Sequence, residues 1–381
     1  MRWCRRLARL ALAAALVVVE AGPTAVAQTS SWQQRISPAP AAKPQAKDGT
    51  KVKSRAVEPS QAPKGALGKG GSAHPPKASL GPSTTPTGGG DAEALAPGSD
   101  AAYEAFDQGK YLTALAMAAK LAQQGDAVAH TLVARIHAEG LGVPLDAKLA
   151  AQWYARGAEL GDLEASLALG TLHARGDGVG QDYARAAQLF ETAAAKGHPQ
   201  AVYNLALLFL SGKGKPELPH RGFMLMLYAA EKGVIPAMYD VGTLYATGTG
   251  TAANAFEAAR WIGLAANEGH PEAEIEFAVI LMKDHDVPPE QRDKMRKRAV
   301  ELLRSAARKG FAVAQNRLAH CYLAGVGIAK AQFEAAKWHL VAKAGGHEDA
   351  GLDKLVAGLA PAERQKAAAA AAEWREQALL E

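Results

Sequence analysis

Small and apolar residues recur along this chain in register with a series of glycines. These glycines stand 36, 36, 36, 36, 41 and 36 residues apart, and they are Gly125, Gly161, Gly197, Gly233, Gly269, Gly310 and Gly346. An alanine follows each of them by four residues. In the first six intervals, apolar residues follow at positions 8 and 11, and a small residue at position 9. Positions 4, 8 and 11 share one helical face, so each interval is predicted to begin with an amphipathic helix.

A second helix is predicted later in each interval. Glycine ends a helix readily because it adopts left-handed backbone angles, and a Gly-x-Gly pair follows five of the first helices. These pairs are Gly140/Gly142, Gly176/Gly178, Gly212/Gly214, Gly248/Gly250 and Gly325/Gly327. An apolar stripe then recurs at helical spacing, as in Ala150 and Trp153. Each unit therefore reads helix, loop, helix and turn, and neighbouring units must stack to bury their apolar faces.

These columns resemble those of the Sel1-like repeat, a longer-looped relative of the tetratricopeptide repeat. The unit from Ala165 through Gly170 to Gly-Asp-Gly-Val at 176–179 and Asp182 shows the pattern well. The resemblance covers residues 101–347 and rests on recurrence of the pattern. It implies an all-α, right-handed solenoid that acts as a protein-interaction scaffold. It offers no catalytic, cofactor-binding or metal-binding residues to transfer, so neither enzymatic activity nor a cofactor is predicted.

The N-terminal residues indicate an exported protein. Four arginines within the first nine residues precede an apolar run at 10–19 and an Ala-Val-Ala sequence at 25–27. This order is typical of a secretory signal peptide, here residues 1–27, cleaved after Ala27. The alternative is an uncleaved inner-membrane anchor, although the run is short for a span and Glu20 interrupts it. The prediction is a periplasmic protein with no stable membrane span after cleavage.

Residues 28–99 are predicted to form a disordered linker rich in Pro, Gly, Ala, Ser and Lys, because they offer few large apolar side chains for a core. Residues 100–381 are predicted to form the solenoid. Its N-terminal cap spans 101–126, and its C-terminal cap spans 348–381, where Pro361 suits the first turn of a last helix through Trp374. The repeats between the caps are 127–162, 163–198, 199–234, 235–270, 271–311 and 312–347.

Charge is distributed unevenly between these segments. The whole chain carries a net charge of +5, of which residues 1–27 contribute +3 and residues 28–99 contribute +5, so residues 100–381 carry −3. A nucleic-acid-binding protein needs a basic face on its folded part. No nucleic-acid partner is therefore predicted. The Gly-x-Gly loops lie between helices rather than after a strand, so no nucleotide site is predicted either.

A partner-binding groove is predicted on the first helices, where tetratricopeptide arrays hold their ligands. Groove columns at offsets 6, 10 and 14 from each interval glycine include Arg135, Glu139, Thr171, Arg175, Tyr203, Leu207, Tyr239, Thr243, Asn316 and His320. Aromatic residues and Arg dominate interface energetics, so a peptide from another envelope protein is expected there. The alternative for Tyr203 and Tyr239 is packing onto the next repeat.

The repeat at 271–311 departs from the others. It has five extra residues and a loop predicted over 283–292 in place of the glycine pair. Three adjacent loop residues rarely converge on one ion, so no metal site is predicted from its acids and histidine. An insertion in a solenoid often maps to a functional loop, which makes this loop a second candidate surface. Its candidate residues are Asp284, His285, Asp286 and Arg292.

Histidine and cysteine receive structural interpretations. His137 and His173 share a column held elsewhere by aromatic rings, so half-buried imidazoles are expected. His198, His270 and His347 follow turn glycines, at positions where a helix is expected to begin. Cys321, the sole cysteine after the signal, stands in an Ile/Leu column and is expected to be a buried small hydrophobe, although a lone exported thiol could pair with another chain.

The sequence therefore favours a non-enzymatic interaction scaffold or regulator in a bacterial cell envelope. Some envelope proteins of the resembled family regulate exopolysaccharide production by holding a sensor kinase's periplasmic domain, and the resemblance implies a comparable role. An assembly factor for an envelope polysaccharide or flagellar machine is the alternative. A cell-wall enzyme is less favoured because no Ser-x-x-Lys set stands at a suitable site. The sequence leaves the oligomeric state open.

Overall fold

The computed structural model describes residues 99–283 and 286–378. The predicted signal peptide, the predicted linker through residue 98 and residues 379–381 of the predicted C-terminal cap lie outside the described residues. Within the described ranges every regular element is an α-helix, and consecutive helices pack as pairs, which confirms the predicted all-α repeat fold. The described helices fall into an N-terminal unit, residues 99–182, and a C-terminal unit, residues 183–378.

The N-terminal unit contains α1 (Ser99–Asp107), α2 (Tyr111–Ala122), α3 (Ala127–Glu139), α4 (Ala147–Glu159) and α5 (Leu163–Arg175). The C-terminal unit contains α6 (Tyr183–Ala195), α7 (Pro199–Ser211), α8 (Pro219–Glu231), α9 (Ile235–Thr247), α10 (Ala255–Asn267), α11 (Pro271–Met282), α12 (Pro289–Arg308), α13 (Ala312–Ala324), α14 (Gln332–Ala344), α15 (Ala350–Gly358) and α16 (Pro361–Gln377).

Four of the six first helices, α3, α5, α7 and α11, begin at a side-chain cap placed just after the interval glycine, whereas α9 and α13 begin without one. The carboxylate of Asp126 accepts a hydrogen bond from the Ala129 amide at 3.0 Å, and it is the N-cap of α3. His198 and His270 cap α7 and α11 through ring Nδ1 atoms that accept from backbone amides, which confirms their predicted position. The prediction for His347 is wrong. Helix α15 begins two residues later than its register requires, and Asp349 caps it.

The columns of small residues form the contact surface between helices. The alanine at position 4 is completely buried in all six repeats, at Ala129, Ala165, Ala201, Ala237, Ala273 and Ala314. At position 9, a Cβ atom on Gly242 would stand 2.6 Å from Cγ1 of Ile262 in α10. Even a methyl group at Gly242 would therefore push the two helices apart and forfeit their close packing.

The Gly-x-Gly loops fix how each repeat packs against the preceding repeat. The first glycine ends its helix in the left-handed conformation, as Gly212 does at φ 66°. A Cβ on the second glycine of four of the five pairs would overlap backbone atoms of an earlier second helix. Those contacts join Gly178 to Ala147, Gly214 to Tyr183, Gly250 to Pro219 and Gly327 to Arg296. The first three partners are the first residues of α4, α6 and α8.

The irregular repeat extends a helix where the sequence predicts a loop. Gly327 contacts α12 at its eighth residue, Arg296, whereas equivalent glycines contact the first residue of a helix. Helix α12 is accordingly 20 residues long, while α10 and α14 have 13. The predicted loop over 283–292 is therefore too long, because α12 already begins at Pro289 and includes Arg292. Proline supplies a helical φ at this first position, and so supports the extension.

Atypical helices close both ends of the described array. The predicted N-terminal pair, α1 and α2, turns at Gly109 in the left-handed conformation. At the other end, Pro361 begins α16 as predicted, and Trp374 packs edge-on against Trp338 of α14 with ring centroids 5.2 Å apart. Helix α15 was not anticipated, because its nine residues carry a weak apolar pattern around Leu352, its fully buried residue.

One helix N-cap residue, Asp162, is predicted to make the stability of the protein depend on pH. Burial raises the pKa of Asp162, the N-cap of α5, from 3.8 to about 6. Between these values the folded chain retains a proton that the unfolded chain has released, so stability falls as pH rises from 4 to 6 and is level above. We expect this loss to be about 1–3 kcal/mol. Asp162→Asn keeps the capping acceptor and should remove the slope.

The measurement is the Tm of both proteins at closely spaced pH values from 3.5 to 7.5. Asp126→Asn, at the equivalent cap of α3, is the matched control and should retain the wild-type slope. An unchanged slope in Asp162→Asn would contradict the proposed origin of the pH dependence.

Candidate functional site

The predicted groove residues of the N-terminal unit lie at its surface. Arg135 forms an ion pair with Glu139 at 2.8 Å, and its guanidinium lies over the Phe106 ring at 4.8 Å. The Thr171 hydroxyl is turned onto its own helix, where it donates to the Leu167 carbonyl at 2.9 Å. Arg175 is exposed at the end of α5. This surface is polar and charged, and its most exposed groups are Glu139 and Arg175.

The centre of the predicted groove is buried in the C-terminal unit. Tyr203 and Leu207 of α7 are 3% and 2% exposed. The Tyr203 hydroxyl donates a hydrogen bond at 3.0 Å to Oδ2 of Asp240, a fully buried residue of α9 in the following repeat. The prediction that these two side chains line an open groove is therefore wrong. Tyr203 instead joins successive repeats, which is the alternative that the sequence left open.

Tyr239 also contacts the next repeat, although it is half-buried. Its ring stacks on His270, the cap of α11, with centroids 4.8 Å apart and planes inclined by 22°. Burial raises its pKa far above the usual value, and the nearby Glu276 carboxylate adds to the effect. Thr243 donates to the Tyr239 carbonyl at 3.2 Å. Packing thus occupies most of the Tyr239 ring, and little of it faces outward.

The last two predicted groove residues converge on one carboxylate. Asn316 Nδ2 donates at 3.2 Å to Oδ2 of Asp349, and His320 Nε2 forms a 2.8 Å hydrogen bond with the same oxygen. The bond from His320 is the main cause that lowers the pKa of Asp349 well below its usual value. The His320 side chain is 51% exposed, whereas Asn316 is buried. Of this pair, His320 is available at the surface.

A cavity of about 310 Å³ opens beside His320, at the repeat that lacks the glycine pair. Its walls come from the C-terminal ends of α11 and α13 and from the middle of α12. They consist of Val279, Met282, Leu303, Arg317, His320, Cys321, Ala324 and Val326. Met282 is the last residue of α11, the position at which other first helices lead into a Gly-x-Gly loop. The cavity therefore occupies the place where the regular pattern of the chain is interrupted.

Cys321 lies in the wall of this cavity as a poorly reactive thiol. It is 5% exposed, and burial raises its pKa to about 11. The thiolate is the nucleophile and the metal ligand in cysteine chemistry, so a thiol with this pKa reacts slowly at neutral pH. The expected buried hydrophobe is confirmed. In the described part of the chain, no second cysteine stands near it.

The described candidates of the irregular loop, Asp286 and Arg292, do not line the cavity. Arg292 belongs to α12, where its guanidinium lies 3.5 Å from the Val287 carbonyl, and Asp286 is exposed in the preceding loop. Asp284 and His285 fall in the gap at 284–285, outside the described residues. Across 99–283 and 286–378, no three His, Cys, Asp or Glu side chains are placed to hold a metal ion. No helix in these ranges has the length and apolarity to cross a membrane.

The predicted groove includes His320, but neither the cavity nor Arg317 was predicted from the sequence. Arg317 stands seven residues after Gly310, outside the three predicted groove columns, and α13 presents it at the cavity rim. The available signal was the missing glycine pair, because a connection without it changes what surrounds the ends of the neighbouring helices. The sequence shows that this repeat is irregular, but it led to the prediction of a longer loop rather than of a cavity.

The Sel1 repeat family profile matches residues 127–162, 163–198, 199–234, 235–270, 278–311 and 312–347. Among solved structures, the Sel1 repeat protein from Oxalobacter formigenes is 25% identical, with coverage of 66% of this chain and 96% of that one and a TM-score of 0.55. The protective antigen c5321 of uropathogenic Escherichia coli, which displays an SLR fold, is 21% identical over 72% of each chain, with a TM-score of 0.42. Among curated proteins, no sequence matches this chain.

Proposed function

Because this chain belongs to the Sel1 repeat family, whose members generally mediate protein–protein interactions, we propose that it is an interaction scaffold of the bacterial cell envelope. The observation that carries this proposal is the cavity on α11, α12 and α13, together with the exposed Arg317 and His320 at its rim. An apolar recess with few polar groups at its edge is the usual form of a binding site. The partner is a protein that docks on the first helices around this recess.

The envelope location rests on the N-terminal sequence, whose basic, apolar and small-residue segments follow the order of a secretory signal. In this location the scaffold holds a partner of the envelope, such as a regulator of exopolysaccharide production or of signalling. An assembly factor of a polysaccharide or flagellar machine would use the same surface. The identity of the partner separates these roles.

Capture from a periplasmic extract tests the proposal. The immobilised full chain is expected to retain at least one envelope protein, which quantitative mass spectrometry identifies against blank resin. A second bait carries Arg317→Glu, and a third carries Arg308→Glu, the reversal of an exposed arginine at the far end of α12. We expect at least about a tenfold loss of the partner on the second bait and no loss on the third.

Recovery of wall fragments without any protein would contradict the scaffold function and favour a wall-directed activity. Equal retention of one protein on all three baits would leave a scaffold whose binding surface lies elsewhere. Thermal unfolding of each bait shows that the comparison is made between folded proteins.

A further inference from the structure

The cavity combines apolar walls with a cation that no described residue neutralises. Val279, Met282 and Leu303 form its walls, and Arg317 is exposed at its rim. Within the described residues, the Arg317 guanidinium has neither a hydrogen bond nor an ion pair.

Several exposed arginines on second helices, by contrast, are paired with a glutamate three residues away. Such pairs are Arg156–Glu159, Arg260–Glu257 and Arg298–Glu301. No acidic residue stands three or four residues from Arg317 on α13. Those positions hold Val313, Ala314, His320 and Cys321. Its charge is therefore available to a ligand.

The extended start of α12 carries an excess of positive charge. Residues 289–298 contain five Lys or Arg against two acids. They approach the cavity through Val326, a wall residue whose neighbour Gly327 lies against Arg296 of α12. On the opposite rim, the Asp349 carboxylate already accepts hydrogen bonds from Asn316, from His320 and from the first amides of α15. The surroundings thus favour a ligand that carries negative charge.

We propose that this cavity, defined by Val279, Met282, Leu303 and Arg317, binds an acidic segment of the partner protein that inserts one large apolar side chain. A carboxylate beside that side chain pairs with Arg317. The inference rests on the proposed scaffold function and specifies the chemistry of its partner. It gives a role to an arginine that has no partner among the described residues, at the rim of a cavity in the repeat that lacks the glycine pair.

The dimensions of the cavity favour a peptide side chain over other acidic ligands. A volume of about 310 Å³ is at the lower limit of small-molecule sites, and it suits one leucine or phenylalanine side chain better than a nucleotide. A long acyl chain would leave most of its length in water and lose the hydrophobic gain that drives its binding. Arginine recognises a carboxylate through paired N–H donors, which gives direction to a docked peptide.

Selection of peptides from a random displayed library on the full chain tests this proposal. The recovered sequences are expected to share Leu or Phe beside Asp or Glu. The best peptide, made synthetically, should bind at least tenfold more weakly to Arg317→Glu and to Ala324→Phe. Ala324 is an exposed wall residue, so the larger ring should fill the cavity without disturbing the core. Arg308→Glu, the matched charge reversal, should bind with wild-type affinity.

Cys321 provides an independent report of occupancy, since it lines the cavity. In the full chain with Cys4→Ser it is the remaining thiol, and the selected peptide should slow its reaction with a small thiol reagent several-fold. The proposal is overturned if no acidic-apolar consensus emerges, if the peptide binds both cavity variants normally, or if it leaves the thiol reaction unchanged. Protection of Cys321 by laurate but by no peptide would identify a fatty acid as the ligand instead. A partner captured equally by wild type and Arg317→Glu would refute this site while the scaffold function stands.

Discussion

Gly214→Ala is expected to lower the free energy of unfolding of the C-terminal unit by about 2–5 kcal/mol. Two effects add at this glycine. The left-handed backbone, with φ at 68°, costs an alanine about 1–2 kcal/mol. The added methyl group would also overlap the backbone of Tyr183 at the first turn of α6, and overpacking of this kind costs a further 1–3 kcal/mol or so.

The loss should also be local. Each repeat in such an array contacts its neighbours and few other elements, so damage at one loop weakens the adjacent helices first. Amide hydrogen exchange is therefore expected to accelerate in α6 and α7 and to change little in α13 and α14.

Gly233→Ala is the matched control. Gly233 has φ at 89°, but nothing lies within 4 Å of its Cβ position, so this variant incurs the backbone penalty without the overlap. Its cost should be about 1–2 kcal/mol. Equal destabilisation in the two variants, by chemical denaturation, would show that the close approach of the loop to α6 has no energetic importance.

Tyr203→Ala is expected to destabilise the chain by about 3–5 kcal/mol, because it leaves a cavity in a site that is 3% exposed and removes the hydrogen bond to Asp240. Tyr203→Phe keeps the ring and loses the hydroxyl, and its cost should be about 1–3 kcal/mol. Tyr228→Ala, on the outer part of α8 with 39% exposure, is the control and should cost about 1 kcal/mol or less. Urea denaturation of the four proteins measures these differences.

Partner capture with the same variants separates packing from binding. Tyr203→Phe should retain the envelope partner at the wild-type level, because the hydroxyl is used inside the fold. Loss of the partner from a Tyr203→Phe protein with wild-type stability would mean that Tyr203 belongs to a binding surface after all.

Most helix starts and ends within a repeat could be predicted from the sequence, because the interactions that set them are local. A glycine that must adopt positive φ, a capping Asp or His and a proline at the first turn each act within a few residues. The predicted starts of α7, α11 and α16 therefore agree with the structure. Where the same local signals conflict, prediction failed, as at His347, where Asp349 two residues later provides a stronger cap for α15.

Surface exposure depends on contacts between repeats, and the sequence columns do not contain this information. Leu207 and His320 stand in the same column, yet the first is 2% exposed and the side chain of the second is 51% exposed beside a cavity. The difference arises from what the following repeat offers to each side chain. The residue type in column 10 does not predict those neighbours, because they come from another interval of the chain.

The sequence by itself determined the spacing, number and order of the six repeats, because periodic glycines and alanines act through local backbone geometry and close helix contact. The tertiary structure alone decided that the missing glycine pair lengthens α12 by two turns and leaves a cavity beneath Arg317. This outcome depends on how three helices meet when the connection between two of them, residues 283–288, has no glycine pair. The balance of packing among them is a property of the folded array, and no single interval specifies it.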